Sequence, residues 1–143
     1  MIINIRHTGL VVRDIDKSID FYSRLGFSLW KREVETGKFI DQVTGIENVR
    51  LEWAKLKSKD GSLIELLQYL SHPEQKAIKI AESNQLGCSH IAFTVDDIDK
   101  MCNCISDLGG AVVNRPAVSP DGMVRVAYCH DLDGILIELV DEL

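Results

Sequence analysis

The sequence predicts an α+β fold that consists of two paired βαβββ modules. Residues recur along the chain in the same order and at a fixed offset, and such a repeat sets the architecture of a fold. Within each copy, alternating apolar residues predict strands, and apolar residues spaced three or four apart predict one helix. The segments that recur 83 positions later are His7, Asp14-Ile15-Asp16-Lys17 and Leu25-Gly26, which match His90, Asp97-Ile98-Asp99-Lys100 and Leu108-Gly109.

A second pair of similar segments ends the two copies. Residues 60–67 read DGSLIELL and residues 133–140 read DGILIELV, at an offset of 73 positions. The smaller offset means that the first copy holds about ten additional residues, and Gly37 to Asn48 is the expected insertion. Two copies are too few for a solenoid, so we expect the modules to pair as a half-open barrel with a central cleft.

The first module, residues 1–70, is expected to contain four strands and a helix. Asp14 is a good N-cap for that helix, and Gly26 is expected to end it. Asp60-Gly61 predicts a hairpin turn. The other predicted elements are strands at Ile2–Val12, Phe27–Val34, Val49–Lys57 and Leu63–Leu70, with a helical turn at Lys38–Thr44.

A polar linker, residues 71–86, is expected between the modules, with a short helix around Glu74–Glu82. The second module, residues 87–143, repeats the pattern of the first. Its predicted elements are strands at Cys88–Val95, Gly110–Asn114, Val124–His130 and Ile135–Val140, a helix at Ile98–Leu108 and a turn at Asp133-Gly134.

Composition narrows the classes of function. A formal net charge of −6 argues against nucleic acid as a partner, because binding to phosphates needs clustered Lys and Arg. No apolar run approaches the roughly 20 residues of a membrane span, and no N-terminal targeting segment is visible. A cytoplasmic protein without a membrane partner is therefore expected. The four cysteines form no CxxC pair and are expected to be free thiols: Cys88, Cys102, Cys104 and Cys129.

Two histidines and two glutamates stand at repeat-equivalent places in apolar, strand-like segments. A buried carboxylate is costly unless a positive group meets it. A single histidine in a strand is more often a satisfied core residue, but four candidates at equivalent places favour a metal site. Imidazole and carboxylate ligands suit Ni, Co, Zn, Mn or Fe(II). The predicted ligands of this divalent metal are His7, Glu65, His90 and Glu138.

The chain resembles the vicinal oxygen chelate superfamily, which includes glyoxalase I, methylmalonyl-CoA epimerase, extradiol dioxygenases and antibiotic-resistance proteins. The resemblance covers nearly the whole chain. It implies paired modules around a metal cleft, the same four ligands from the first and last strands of each module, and a homodimer. The motifs that carry it are His7-Thr8, Ser18-Ile19-Asp20-Phe21-Tyr22, the two LIEL segments, His90-Ile91-Ala92 and Asp131-x-Asp133-Gly134.

The His/Glu/His/Glu set resembles that of bacterial, metal-dependent glyoxalase I (lactoylglutathione lyase). This implies a lyase or isomerase that moves a proton alpha to a carbonyl of a small-molecule substrate through a metal-stabilised enediolate. Glu138 is the first candidate for the base and Glu65 the second. The positions that contact glutathione in that enzyme hold Val11 and Tyr69 here, which leaves the thiol carrier open.

Two other functions stay open at this point. One is methylmalonyl-CoA epimerase, whose ligand spacing is compatible with this chain. The other is a non-catalytic protein that binds a small molecule such as a drug. Arg50, Arg115 and Arg125 are candidates for holding an anionic tail, although surface charge is the more common use of each. Trp30 and Trp53 are more often core or interface residues than substrate platforms.

Overall fold

The computed structural model describes residues 1–76 and 79–143. Within them the chain forms nine strands, in two sheets, and three helices, so the predicted α+β class is confirmed. The chain divides into two compact units, residues 1–76 (unit 1) and residues 77–143 (unit 2). The finer division into a module at 1–70, a linker at 71–86 and a module at 87–143 stays a prediction.

Unit 1 contains a four-stranded sheet. Its strand order is β1-β4-β3-β2, with β1 parallel to β4 and the other neighbours antiparallel. The parallel pair places the start of the unit beside its last strand. The elements are β1 (Thr8–Val11), α1 (Ile15–Arg24), β2 (Ser28–Thr36), α2 (Lys38–Thr44), β3 (Arg50–Lys57) and β4 (Leu63–Tyr69).

Helix α1 covers one face of this sheet. As predicted, the Asp14 carboxylate accepts a hydrogen bond from the Lys17 backbone N–H and caps the helix, and Gly26 follows its end with a φ of 109°. Phe21 and Tyr22 are fully buried against the sheet. Because α1 occupies this face, side chains of alternate strand positions project from the other face.

Unit 2 repeats the arrangement with a second sheet. Its strand order is β5-β9-β8-β6, with β5 parallel to β9, and β7 pairs with β8. Helix α3 packs its buried residues Ile98, Cys102 and Ile105 towards strands β6, β8 and β9. The elements are β5 (Ile91–Val95), α3 (Ile98–Asp107), β6 (Ala111–Val112), β7 (Ala117–Val118), β8 (Val124–His130) and β9 (Leu136–Glu142).

The first strand of each unit is shorter than predicted. Strand β1 begins at Thr8 rather than Ile2, because its pairing with β4 starts there and the apolar side chains of Ile2, Ile3 and Ile5 are exposed. Strand β5 begins at Ile91 rather than Cys88 for the same reason, since its pairing with β9 starts there. His7 and His90 therefore each stand directly before a strand, not within one.

Two further predictions differ from the structure. The short helix predicted around 74–82 is absent from its described parts, 74–76 and 79–82, and residues 77 and 78 lie outside the described residues. Within unit 2, the Ala81 backbone N–H instead donates to the Gly134 carbonyl at 3.2 Å. Strand β7 was not predicted, since Ala117 and Val118 form too short an apolar run to stand out.

None of the described helices has the length and apolar character that crossing a membrane requires.

Candidate metal centre

In unit 1, the candidate ligands His7 and Glu65 are in contact. Strands β1 and β4 run parallel with Gly9 opposite Glu65, which puts the residue before β1 beside that carboxylate. The Nε2 atom of His7 lies 3.0 Å from Oε2 of Glu65. The Nδ1 atom of His7 is the only buried side-chain polar atom of the described residues without a hydrogen-bond partner. A buried polar atom without a partner calls for an explanation, and a bound ion or water molecule would provide one.

Unit 2 builds the same contact from the equivalent residues. Ala92 stands opposite Glu138 in the parallel pairing of β5 with β9, as Gly9 stands opposite Glu65. The Nε2 atom of His90 lies 2.7 Å from Oε2 of Glu138. The His90 ring meets the Tyr128 ring edge-on, with 5.3 Å between their centroids. The repeat in the sequence is therefore matched in the structure, since each unit contains one equivalent His–Glu contact.

The donor atoms of each pair fit a divalent cation. Two ligands that lie about 2.1 Å from one ion at a right angle are about 3.0 Å apart. The His–Glu separations are 3.0 Å and 2.7 Å, and all four side chains are only partly exposed. Among residues 1–76 and 79–143, no group of three or more His, Cys, Asp or Glu has the geometry of a metal site. A four-ligand centre therefore stays a prediction.

The surroundings of the two glutamates differ. Lys55 on β3 is paired in register with Glu65, and its Nζ atom lies 3.4 Å from Oε1 of that residue. Tyr128 on β8 holds the equivalent place opposite Glu138. One candidate ligand thus has an ammonium group beside it, whereas the other has a phenol. This asymmetry distinguishes two residues that the sequence motif makes alike.

Three lysines, here called the lysine face, line the same side of the unit 1 sheet: Lys31 on β2 with Lys55 and Lys57 on β3. The Nζ atoms of Lys31 and Lys55 lie 5.4 Å and 4.7 Å from the centre of the Trp53 ring. The Nζ atom of Lys57 lies 4.5 Å from the centre of the Trp30 ring. Sequence reasoning did not single out these lysines. The alternation Trp53, Lys55, Lys57 along one side of a predicted strand was the available signal.

The expected insertion packs on the side of β4 that carries Glu65. Its helix α2 buries Ile40 in a small cluster with Val49 and Leu51, against which Leu67 and Tyr69 pack. The Asp41 carboxylate accepts hydrogen bonds from the backbone N–H groups of Asn48 and Val49, both at 2.9 Å, and so ties the insertion to β3. Tyr69, one of the two positions that leave the thiol carrier open, thus packs against the insertion.

Arg125, one of the candidates for holding an anionic tail of a substrate, already forms ion pairs within unit 2. The guanidinium of Arg125 bonds to the Asp99 carboxylate at 2.7 Å and lies 4.0 Å from Asp141. These ion pairs raise the pKa of Arg125. Asp131 explains part of the second repeat motif, because its Oδ1 accepts from the N–H groups of Asp133 and Ile135 and forms the turn before β9.

Comparison with known proteins identifies the class. Residues 4–139 match the family model of the Glyoxalase/Bleomycin resistance protein/Dioxygenase superfamily. The chain belongs to this superfamily, as its resemblance to the vicinal oxygen chelate proteins predicts.

Several relatives carry a more particular name. A probable lactoylglutathione lyase of Vibrio cholerae is 33% identical over 138 residues, which cover 95% of this chain and 88% of that protein. The lactoylglutathione lyase of Pseudomonas aeruginosa is 30% identical over 94% of this chain and 80% of its own length.

Solved structures agree with the superfamily assignment. A glyoxalase family protein from Bacillus cereus is 31% identical and superposes with a TM-score of 0.92, covering 100% of this chain and 96% of that one. Glyoxalase I from Zea mays has a TM-score of 0.66 at 20% identity, and the match covers 96% of this chain and 46% of the maize chain. At that identity the maize enzyme shows a shared fold only.

Proposed function

We propose that the protein is a divalent-metal-dependent lyase or isomerase of glyoxalase type. The observation that carries the proposal is the matched contact of His7 with Glu65 and of His90 with Glu138, at 3.0 Å and 2.7 Å. Relatives of about 30% identity named lactoylglutathione lyase support this class of reaction. The four side chains would bind one Ni, Co, Zn, Mn or Fe ion. These ligands would come from one chain or from two chains of a homodimer.

The reaction needs a base beside the metal ligands. A bound divalent ion would supply Lewis-acid stabilisation of the negative charge that develops on a carbonyl oxygen. Glu138 would remove the proton alpha to that carbonyl and return it to the neighbouring carbon, so that a hemithioacetal becomes an α-hydroxythioester without an external oxidant or reductant. Glu65 is the second candidate, but its Oε1 already faces the Lys55 ammonium at 3.4 Å, which favours Glu138.

Metal content tests the proposal first. The protein would be chelated, reloaded with Ni, Co, Mn or Zn, and analysed for metal beside its Glu65→Gln and Glu138→Gln variants. We expect about one metal per chain in the original protein and less in both variants. Glu142→Gln is the matched control, since Glu142 ends the same strand as Glu138 but is exposed. An unchanged metal content in both ligand variants would overturn the proposed centre.

Activity then separates the reaction classes. The loaded protein would be mixed with hemithioacetals of methylglyoxal and, separately, with an acyl-CoA ester in deuterated water. Formation of an α-hydroxythioester supports the glyoxalase-type reaction. Exchange of the proton alpha to the thioester carbonyl, without action on hemithioacetals, would instead identify the protein as an epimerase. Ligand binding that persists after chelation, without turnover, would instead identify it as a small-molecule binding protein.

A further inference from the structure

Unit 2 holds two cysteines whose thiols meet where its helix packs against its sheet. Cys102 lies on α3 and Cys129 on β8, and both are buried, with exposed fractions of 7% and 0%. Both are free cysteines in the structure, and their thiols are hydrogen-bonding partners. A disulfide can form only between cysteines whose side chains point towards each other, which this pair satisfies.

The fold does not require thiols at these two places, as unit 1 demonstrates. At the offsets of the sequence repeat, Cys102 corresponds to Ile19 on α1 and Cys129 corresponds to Leu56 on β3. Leu56 is fully buried and has the same place in its strand pairing as Cys129 has. Unit 1 thus places aliphatic side chains at both positions. The pair of thiols therefore distinguishes unit 2 from unit 1.

The two thiols differ in how far solvent reaches them. Cys129 is enclosed by the core, and burial raises the pKa of its thiol to about 12. Cys102 lies at the edge of the core, one helical turn after Asp99, whose exposed carboxylate pairs with Arg125 at 2.7 Å. Burial raises the pKa of the Cys102 thiol as well, and the hydrogen bond with Cys129 opposes that rise. A reagent from solvent therefore reaches Cys102 first.

We propose that Cys102 and Cys129 form a reversible disulfide bond within unit 2, with a low-molecular-weight disulfide as the oxidant. The Cys102 thiol loses its proton and attacks one sulfur of the reagent, which forms a mixed disulfide and releases one reagent thiol. The Cys129 thiol then loses its proton and displaces the second reagent thiol from Cys102. The protein gives up two electrons and two protons, and the reagent takes them up as its S–S bond becomes two thiols.

The bond would tie α3 to a strand that also contacts a candidate metal ligand. Tyr128 precedes Cys129 on β8, so its side chain projects from the opposite face of the strand, where its ring meets that of His90. A cross-link between residues 102 and 129 restricts the unfolded chain more than the folded one, so oxidation is expected to stabilise the fold. The proposal uses none of the four candidate ligands and does not depend on the proposed function.

A thiol-trapping experiment tests the bond in a variant with Cys88→Ser and Cys104→Ser, which keeps only the proposed pair. The folded protein would be incubated with bis(2-hydroxyethyl) disulfide and 2-mercaptoethanol until its thiol content stops changing, then unfolded and alkylated with N-ethylmaleimide. We expect both thiols to be alkylated before oxidation and neither after it, with no reagent mass retained. The matched control carries Cys88→Ser and Cys129→Ala. It keeps Cys102 and Cys104, two positions apart on α3, and should not form a disulfide within the chain.

Peptide mapping and stability complete the test. Trypsin places the two cysteines in separate peptides, residues 101–125 and 126–143, which the disulfide would join and a reductant would separate. The oxidised protein should have a higher urea midpoint than the reduced protein. Conditions that fully modify the exposed Cys88 of the original protein but leave Cys102 and Cys129 as thiols would overturn the proposal. A reagent adduct on Cys102 that Cys129 does not displace, or a lower urea midpoint after oxidation, would also reject it.

Discussion

The ammonium group of Lys55 lies 3.4 Å from Oε1 of Glu65, so one of the two candidate ligand glutamates has a cation on the adjacent strand. Tyr128 takes the equivalent position opposite Glu138. Two glutamates with the same sequence context therefore meet different chemistry. The first two predictions follow from this difference.

The two glutamates are expected to differ in their roles. Glu138→Gln should lower kcat by about 100-fold or more even at saturating metal, because it removes the proposed base as well as a ligand. Glu65→Gln should weaken metal binding, but added metal should restore a larger share of its activity than it restores in Glu138→Gln. Measuring kcat against metal concentration for both variants separates the two effects. Full recovery of Glu138→Gln by metal alone would assign the base elsewhere.

Loss of the Lys55 charge should strengthen metal binding. A cation beside Glu65 repels an incoming dication, and a half-buried pair is only partly screened by salt. Lys55→Met is expected to bind Ni about threefold to tenfold more tightly, as measured by competition with a chromogenic chelator. Lys17→Met should leave the affinity unchanged. Weaker binding in Lys55→Met would mean instead that the ammonium group holds Glu65 in its ligand position.

The insertion is expected to depend on Asp41. Its carboxylate accepts hydrogen bonds from two backbone N–H groups, at Asn48 and Val49, which would otherwise lack these partners. Asp41→Ala should lower the free energy of unfolding by about 1–3 kcal/mol, measured by urea denaturation. Asp20→Ala provides the control, because the Asp20–Arg24 ion pair is exposed. An effect no larger than that of the control would contradict a structural role for these bonds.

Cys129 makes the stability of the fold sensitive to alkaline pH. Burial raises the pKa of its thiol to about 12 from the ordinary value of 9.0. The folded state therefore keeps a proton that the unfolded state loses, and stability present below pH 9.0 falls as the pH rises towards 12. The difference between the urea midpoints at pH 8 and pH 10 should be smaller in Cys129→Ala than in the original protein. In Cys104→Ala this difference should equal that of the original protein.

The sequence predicted the ends of α1 better than it predicted the start of the first strand in each unit. Asp14 and Gly26 supplied local signals for the ends of α1, and both act as expected. The start of β1 depends on where β4 offers backbone partners, which alternation within residues 2–12 does not reveal. The repeat put His7 and Glu65 at equivalent places to His90 and Glu138, and their contact within each unit follows from the parallel strand pairs.

The lysine face was missed for a different physical reason. Three lysines on two strands are unremarkable as a sequence, because lysine is common on exposed strand positions. Only the register of β2 with β3 brings Lys31 opposite Lys55, and both ammonium groups lie near the Trp53 ring. Trp53 is buried, as expected of a core residue, whereas Trp30 is exposed, and both rings also lie near lysine ammonium groups.

Each unit buries its own set of apolar side chains beneath its own helix, with Phe21 and Tyr22 in the first and Ile98 and Ile105 in the second. The strands that carry Lys55 and Tyr128 thus belong to separate cores. A substitution in either core is therefore expected to act first on the stability of its own unit.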